Sequence, residues 1–350
     1  MTPHDLTAEV RQLLHELCVD LGFCLPPEER RRLREAPPAD ADGFTGAVFA
    51  AEGLDPGPHS ELWRQVRDRV ERHMRRWGEP RIHVTDWDET DGRGVPAVFV
   101  HNIFTWGGDD LYGFAAQRPL ADRHRLLLVD RRGYGRSPDT ARGDFETDAD
   151  DVVGLLGEPR SRPDGHQGPA HLVGHGNGGV IAMLAAARRP DLVRSLTLIQ
   201  PSAFTAAAEH PTVAAMLERV AGTAPGHLPE SVTAAEFLRA STEGIGLPMP
   251  EPTARRLRAV ATSMRERPIW EANVPLEPLR SAPWPTLIVC GTWEDAPTLY
   301  RTHVGEPLMA CAEVLTDALG ARLLRVPGFY PHTQHPDAVN AALRQHWGIR

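Results

Sequence analysis

From residue 81 onward the chain alternates short, almost wholly apolar runs with stretches of helical periodicity, and no other feature limits its fold so strongly. The runs are RIHVTDW, VPAVFVHN, HRLLLVDRRGYGRS, PAHLVGH, SLTLIQP, PTLIVCG and ARLLRVPG. Strands covered by helices on both faces have no solvated side, so they read as continuous apolar text rather than as alternation. The predicted architecture over 81–204 and 281–350 is therefore α/β, a doubly wound, mostly parallel sheet. Residues 205–280 interrupt it with helical text such as TVAAMLERVAG and ARRLRAVATSMRE, and their place between two strands reads as a helical cap over the site.

Residues 1–80 read as an N-terminal helical appendage of four helices. Leu6, Val10, Leu13, Leu14, Leu17 and Cys18 recur at helical spacing, and Pro26 and Pro27 open a second helix. A third ends at Gly53 and Pro56, and a fourth starts at Ser60 and runs through Leu62, Val66, Val70 and Met74. The segment has no cluster of convergent polar residues, so a docking or lid role is expected. Docking of a carrier protein, or self-association through these helices, is the alternative.

Composition removes several classes of function. The net charge of -9 argues against a nucleic-acid partner, which needs a basic footprint. All 38 cationic residues are arginine, so lysine Schiff-base chemistry and the phosphate-binding lysine of P-loop kinases are excluded. GRGVPAV at 92–98 is no phosphate loop either, and no organic cofactor is expected. No apolar run approaches the roughly 20 residues of a membrane span. The opening MTPHDLTAEVRQLLHELC lacks a basic region ahead of an apolar one, so a cytoplasmic protein is expected. The four cysteines, Cys18, Cys24, Cys290 and Cys311, are few and scattered, and are read as buried thiols. The Arg, Ala, Pro and Gly bias resembles high-GC actinobacterial coding.

Five landmarks stand in one order along residues 81–350: VFVHN (98–102), DRRGYGRS (130–137), GHGNGG (174–179), GTWED (291–295) and VPGFYPHTQHP (326–336). In this order they resemble the α/β-hydrolase family, as its oxyanion strand, D-x-x-G-x-G-x-S turn, G-x-S-x-G nucleophile elbow, acid loop and histidine loop. The resemblance implies a sheet with an elbow lifting one side chain above it. It also implies that the nucleophile position holds Gly176 and the general-base position Phe329, so two triad members are missing and the triad is degenerate. Glu294 falls on the acid position, with Asp295 beside it.

What remains is a site able to bind rather than attack. Backbone N–H groups near Ile103 and Asn177 are expected to polarise a carbonyl, with Asn102 and Asn177 as side-chain donors. His332 is the spare general base, and Glu294, His332 and Asn177 are the catalytic candidates. Asn102, Ile103, Phe104, Trp106, Gly176, Trp293, Phe329 and Tyr330 are the substrate-binding candidates. His175 reads as a structural histidine. His332 and His335 lack a visible third ligand, so no metal is expected. The leading expectation is a cofactor-independent, non-hydrolytic enzyme of natural-product biosynthesis, a cyclase, isomerase or lyase acting on a bulky, largely apolar small molecule. A catalytically inactive ligand-binding or partner protein is the alternative, and hydrolysis by an activated water is a weaker one. The turn is expected to accept a serine at 176 with some strain.

Overall fold

The computed structural model describes residues 3–76, 81–157, 168–221 and 231–348, with the side chains of 3–8, 75 and 76 outside that set. Two compact units result, Met1–Arg81 and Ile82–Arg350. The first contains α1 (Pro3–Leu21), α2 (Pro27–Glu35), α3 (Ala41–Ala51) and α4 (Ser60–Arg76). Val10, Leu13, Leu14 and Leu17 form one apolar stripe along α1 and bury against Phe44, Val48, Phe49, Val66 and Val70. Leu6 lies outside the described side chains. The α1 helix ends where Gly22 takes a positive φ of 79° and the Phe23 N–H returns to the Leu17 carbonyl at 3.0 Å. That turn carries Cys24 back beside Cys18, and the two form a disulfide with Cα atoms 4.2 Å apart. The expectation of four buried thiols is thereby corrected: only Cys290 and Cys311 are free and buried.

The second unit is built on one seven-stranded sheet: β1 (Val84–Trp87), β2 (Val95–Val100), β3 (His124–Val129), β4 (Ala170–His175), β5 (Val193–Ile199), β6 (Thr286–Gly291) and β7 (Arg322–Val326). Its order is β1-β3-β2-β4-β5-β6-β7. Every pairing is parallel except that of β1 with β3, which is antiparallel at the sheet edge. Alternate residues serve opposite faces, as strand geometry requires. Val98, Val100, Leu127, Val129 and Leu172 enter one core, and Ala97, Phe99, Leu126, Leu128 and Val173 the other.

Helices α5 (Phe145–Gly157) and α6 (Asn177–Arg188) bury against the first face. Helices α7 (Pro211–Ala221), α8 (Ala234–Ala240) and α9 (Ala254–Ser263) lie in the interruption, followed by α10 (Leu276–Arg280) and α11 (Thr298–Tyr300). The chain closes with α12 (Glu306–Leu319), α13 (Pro331–Gln334) and α14 (Pro336–His346). From β2 the chain crosses to β3 on one side, while β4 lies on the other. The carboxyl ends of β2 and β4 therefore flank the reversal in strand order, the place where open α/β sheets bind ligands. Among the described residues, no helix is long and apolar enough to cross a membrane.

Candidate functional site

The turn between β4 and α6 sits at that reversal. Gly176 adopts φ 56° and ψ -118°, a conformation that a glycine reaches without the clash a Cβ brings. Its N–H donates to the Ile199 carbonyl at 3.0 Å, and its own carbonyl accepts from the N–H groups of Gly179 at 3.0 Å and Ser202 at 3.1 Å. The turn is thus tied to β5 on both sides. The first N–H of α6, that of Asn177, points to the end of β2 and donates to Asn102 Oδ1 at 3.0 Å. That donor, expected to be open to a ligand carbonyl, is engaged within the fold.

Asn102 is itself held. The buried His101 ring donates from Nδ1 to the Asn102 carbonyl at 2.6 Å and accepts at Nε2 from the Arg131 N–H at 3.0 Å, so both ring nitrogens are used by a neutral tautomer. Burial, and then the Arg131 charge, hold this imidazole well below its usual range. Two residues on, Phe104 sits at a positive φ of 63°, and Arg256 of α9 donates to its carbonyl at 2.5 Å. Arg256 also grips both oxygens of the buried Asp109, at 2.6 and 2.8 Å, and lies over the rings of Trp106 and Tyr112. Phe237 of α8 meets the Phe104 ring edge-on at 5.9 Å. Ile103 is half-buried on this loop.

A second group gathers at the ends of β6 and β7. Trp293 is fully buried at φ 59°, and its ring packs on Tyr300 and Phe329. Phe329 and Tyr330 are half-buried and adjoin one another, and the Tyr300 hydroxyl donates to that of Tyr330 at 2.8 Å. Gln334 Oε1 accepts the N–H groups of both Phe329 and Tyr330, which fixes the loop. Gln200, which sequence reading did not single out, joins these loops. Its Oε1 accepts from the Gly291 N–H at 3.0 Å and the Trp293 indole at 2.9 Å, and its Nε2 donates to the Phe329 carbonyl at 3.0 Å. The one signal available was a glutamine closing the apolar run SLTLIQP, where the next residue of a strand end meets other loops.

The two side chains expected to carry acid-base chemistry stand apart. Glu294 is exposed, and among the described residues it makes no hydrogen bond to His332. His332 is completely buried, its Nε2 lies 3.3 Å from the Tyr112 carbonyl, and its ring is 4.3 Å from that of the buried His175. Among the described residues the Nδ1 atoms of both rings lack hydrogen-bond partners, so His175 is buried without the bonds expected of a structural histidine. Burial drives His332 down to about 4, and burial followed by its neighbour His332 holds His175 lower than usual. Both rings are neutral near pH 7. Among the described residues, no group of three or more His, Cys, Asp or Glu is placed to hold a metal ion.

A family model described as alpha/beta hydrolase fold matches residues 96–233, from β2 into the helical interruption. The chain has the α/β-hydrolase fold. It is 34% identical over 173 residues to a pimeloyl-[acyl-carrier protein] methyl ester esterase of Chromobacterium violaceum, 49% of this chain and 61% of that one. To an sn-1-specific diacylglycerol lipase, ABHD11 of Danio rerio, it is 30% identical over 118 residues, 33% of this chain and 35% of the lipase. The match thus spans between about a third and three-fifths of these relatives' length. Among solved structures, a membrane phospholipase A superposes with a TM-score of 0.53 at 26% identity, covering 76% of this chain and 81% of the other. A hydrolase from Pseudomonas aeruginosa, at TM-score 0.51 and 22% identity over 77% of this chain and 94% of the other, shares the fold. The relatives above 25% identity are an esterase, a lipase and a phospholipase. They overturn the expectation of a cyclase, isomerase or lyase of natural-product biosynthesis, because the activities these relatives carry are hydrolytic.

Proposed function

We propose that this chain binds a carbonyl compound of the ester or amide class, with a bulky apolar body, and forms no covalent acyl intermediate with it. In this reading Gly176 stands where hydrolases of this fold carry the nucleophile and Phe329 where they carry the general base. One observation carries it: the turn at Gly176 keeps a positive-φ geometry on the helix N-terminus, yet offers no side chain, while the Asn102 amide occupies the space that a Cβ there would need. Acyl transfer requires a nucleophile and a base in hydrogen-bond reach of each other. Phe329 supplies no base, His332 is buried against His175, and Glu294 faces solvent. Phe104, Trp106, Trp293, Phe329 and Tyr330, with Ile103, are the apolar surface for the ligand's body, and residues 205–280 are its cap. The esterases and lipases among the relatives support the ligand class.

A second reading, hydrolysis by a water without an acyl-enzyme, is favoured by the same relatives and by the neutral His332, whose Nδ1, without a partner among the described residues, can accept a proton. One experiment separates the readings. The protein is incubated with a fluorophosphonate and weighed intact, and p-nitrophenyl butyrate turnover is followed in parallel. No adduct and no turnover above the uncatalysed rate is the expected result. Turnover without an adduct favours the water route, and stoichiometric labelling of one residue refutes both.

A further inference from the structure

We propose that Asn102 and Gly176 form an interlocked pair in which the Asn102 amide fills, from within the protein, the place where the Asn177 N–H would meet a ligand's oxygen. Three observations support it. Asn102 Oδ1 already accepts the Asn177 N–H at 3.0 Å. A Cβ built on Gly176 would lie 2.3 Å from Asn102 Cγ, 2.4 Å from Oδ1 and 2.5 Å from Nδ2, so the amide lies against the space that any side chain at 176 requires. The backbones of both are held, that of Asn102 by His101 and that of Gly176 by Gly179 and Ser202, so a side chain at 176 is accommodated only if the Asn102 amide turns away and gives up the Asn177 N–H. The asparagine therefore stands where it does because position 176 has no Cβ, and a residue with a Cβ there costs the Asn102–Asn177 bond. This corrects the expectation that the turn accepts a serine with backbone strain alone.

The accepted N–H also fixes which way the amide faces. With Oδ1 engaged, what Asn102 has left to offer a ligand is the Nδ2 donor pair, and an ester or carboxylate oxygen reaches Asn177 only by displacing it. For a ligand, this consequence rests on the reading of Gly176 given above.

The test is a mutant cycle with Gly176→Ser, Asn102→Gly and both together, read by thermal unfolding. Serine is expected to lower the midpoint more in the presence of Asn102 than in its absence, by about 4 °C or more. Additive midpoints would overturn the interlock. Should the serine variants fail to fold, amide exchange at Asn177 in the folded Asn102→Gly protein decides instead: about tenfold faster exchange supports the contact, and unchanged exchange sinks it. Fluorophosphonate labelling then compares Gly176→Ser/Phe329→His with and without Asn102→Gly. Labelling only with the glycine supports the interlock, and equal labelling in both counts against it. A coupled cycle with a folded triple variant that never labels leaves the interlock standing and removes the reading of Gly176 as a nucleophile position.

Discussion

Gln200 shows how much of the site hangs on one side chain. It sits at φ 46°, nearly fully buried, and its single amide satisfies the last backbone donor of β6, the Trp293 indole and the Phe329 carbonyl. Removing a hydrogen-bonding partner from a buried donor leaves the desolvation cost of that donor uncompensated, about 1–3 kcal/mol for each. Gln200→Leu, which keeps the bulk and strands two buried donors, is therefore expected to destabilise the fold by about 3 kcal/mol or more in urea titration. A loss below about 1 kcal/mol would show that the three loops hold their places without it. The turn at Gly176 was legible in the sequence because it lies at a fixed offset inside a local motif. The surroundings of His332 and Glu294 were not. Motif spacing puts a residue on a loop, whereas its burial depends on what packs over that loop. His332 lies against Tyr112, 220 positions away, and Glu294 is exposed.

Helix α9 works as a strap as well as part of the interruption. Arg256 holds Asp109 and the Phe104 carbonyl, Arg258 reaches the carbonyls of Gly135 and Ser137, and Thr262 donates to that of Gly133. Just beyond the helix, Glu266 joins the buried Arg131, Asp148 and Tyr134. The helical periodicity of ARRLRAVATSMRE announced the element, but not that its arginines would turn inward onto the loops after β2 and β3. Breaking a buried ion pair strands a charge, at about 3–5 kcal/mol, while replacing both members with apolar groups leaves none stranded. Arg256→Met is expected to cost about that much, and Arg256→Met with Asp109→Leu to recover more than half of it, read from urea midpoints. Equal losses in the single and double variants would mean that the pair does not anchor the strap. At the other end of the chain, the disulfide of α1 was missed for a related reason. A separation of six positions between two cysteines says nothing until the helix end at Gly22 folds the chain back.

At the scale of the molecule, six histidines among the described residues, His101, His124, His171, His175, His332 and His346, are held below their ordinary range chiefly by burial. A histidine neutral in the fold but free to charge when unfolded contributes stability above its unfolded pKa of about 6.5 and loses it as pH falls toward the folded value. For His332, at about 4, the loss by pH 5 is roughly 2 kcal/mol. Asp148 acts in the opposite sense. Burial raises it to about 7, so its contribution is full at low pH and lost as pH rises through 7, which offsets part of the histidine effect. The sum favours the histidines, and the urea midpoint is expected to fall between pH 7.5 and pH 5, less steeply in His332→Leu. A midpoint flat over that range, or a slope unchanged in the variant, would contradict the burial of these rings. By itself the sequence determined the strand runs, their separation by helices, the α/β-hydrolase landmarks and the absence of a hydroxyl at 176 and an imidazole at 329. These are properties of local periodicity and of residue identity, which the chain carries before it folds. Only the tertiary structure decided that Asn102 meets Asn177 from 75 positions away, that Arg256 meets Asp109 from 147 and that Gln200 meets Phe329 from 129. Contacts of that range are set by which strands lie side by side and which loops their ends bring together, and no spacing within one motif encodes them.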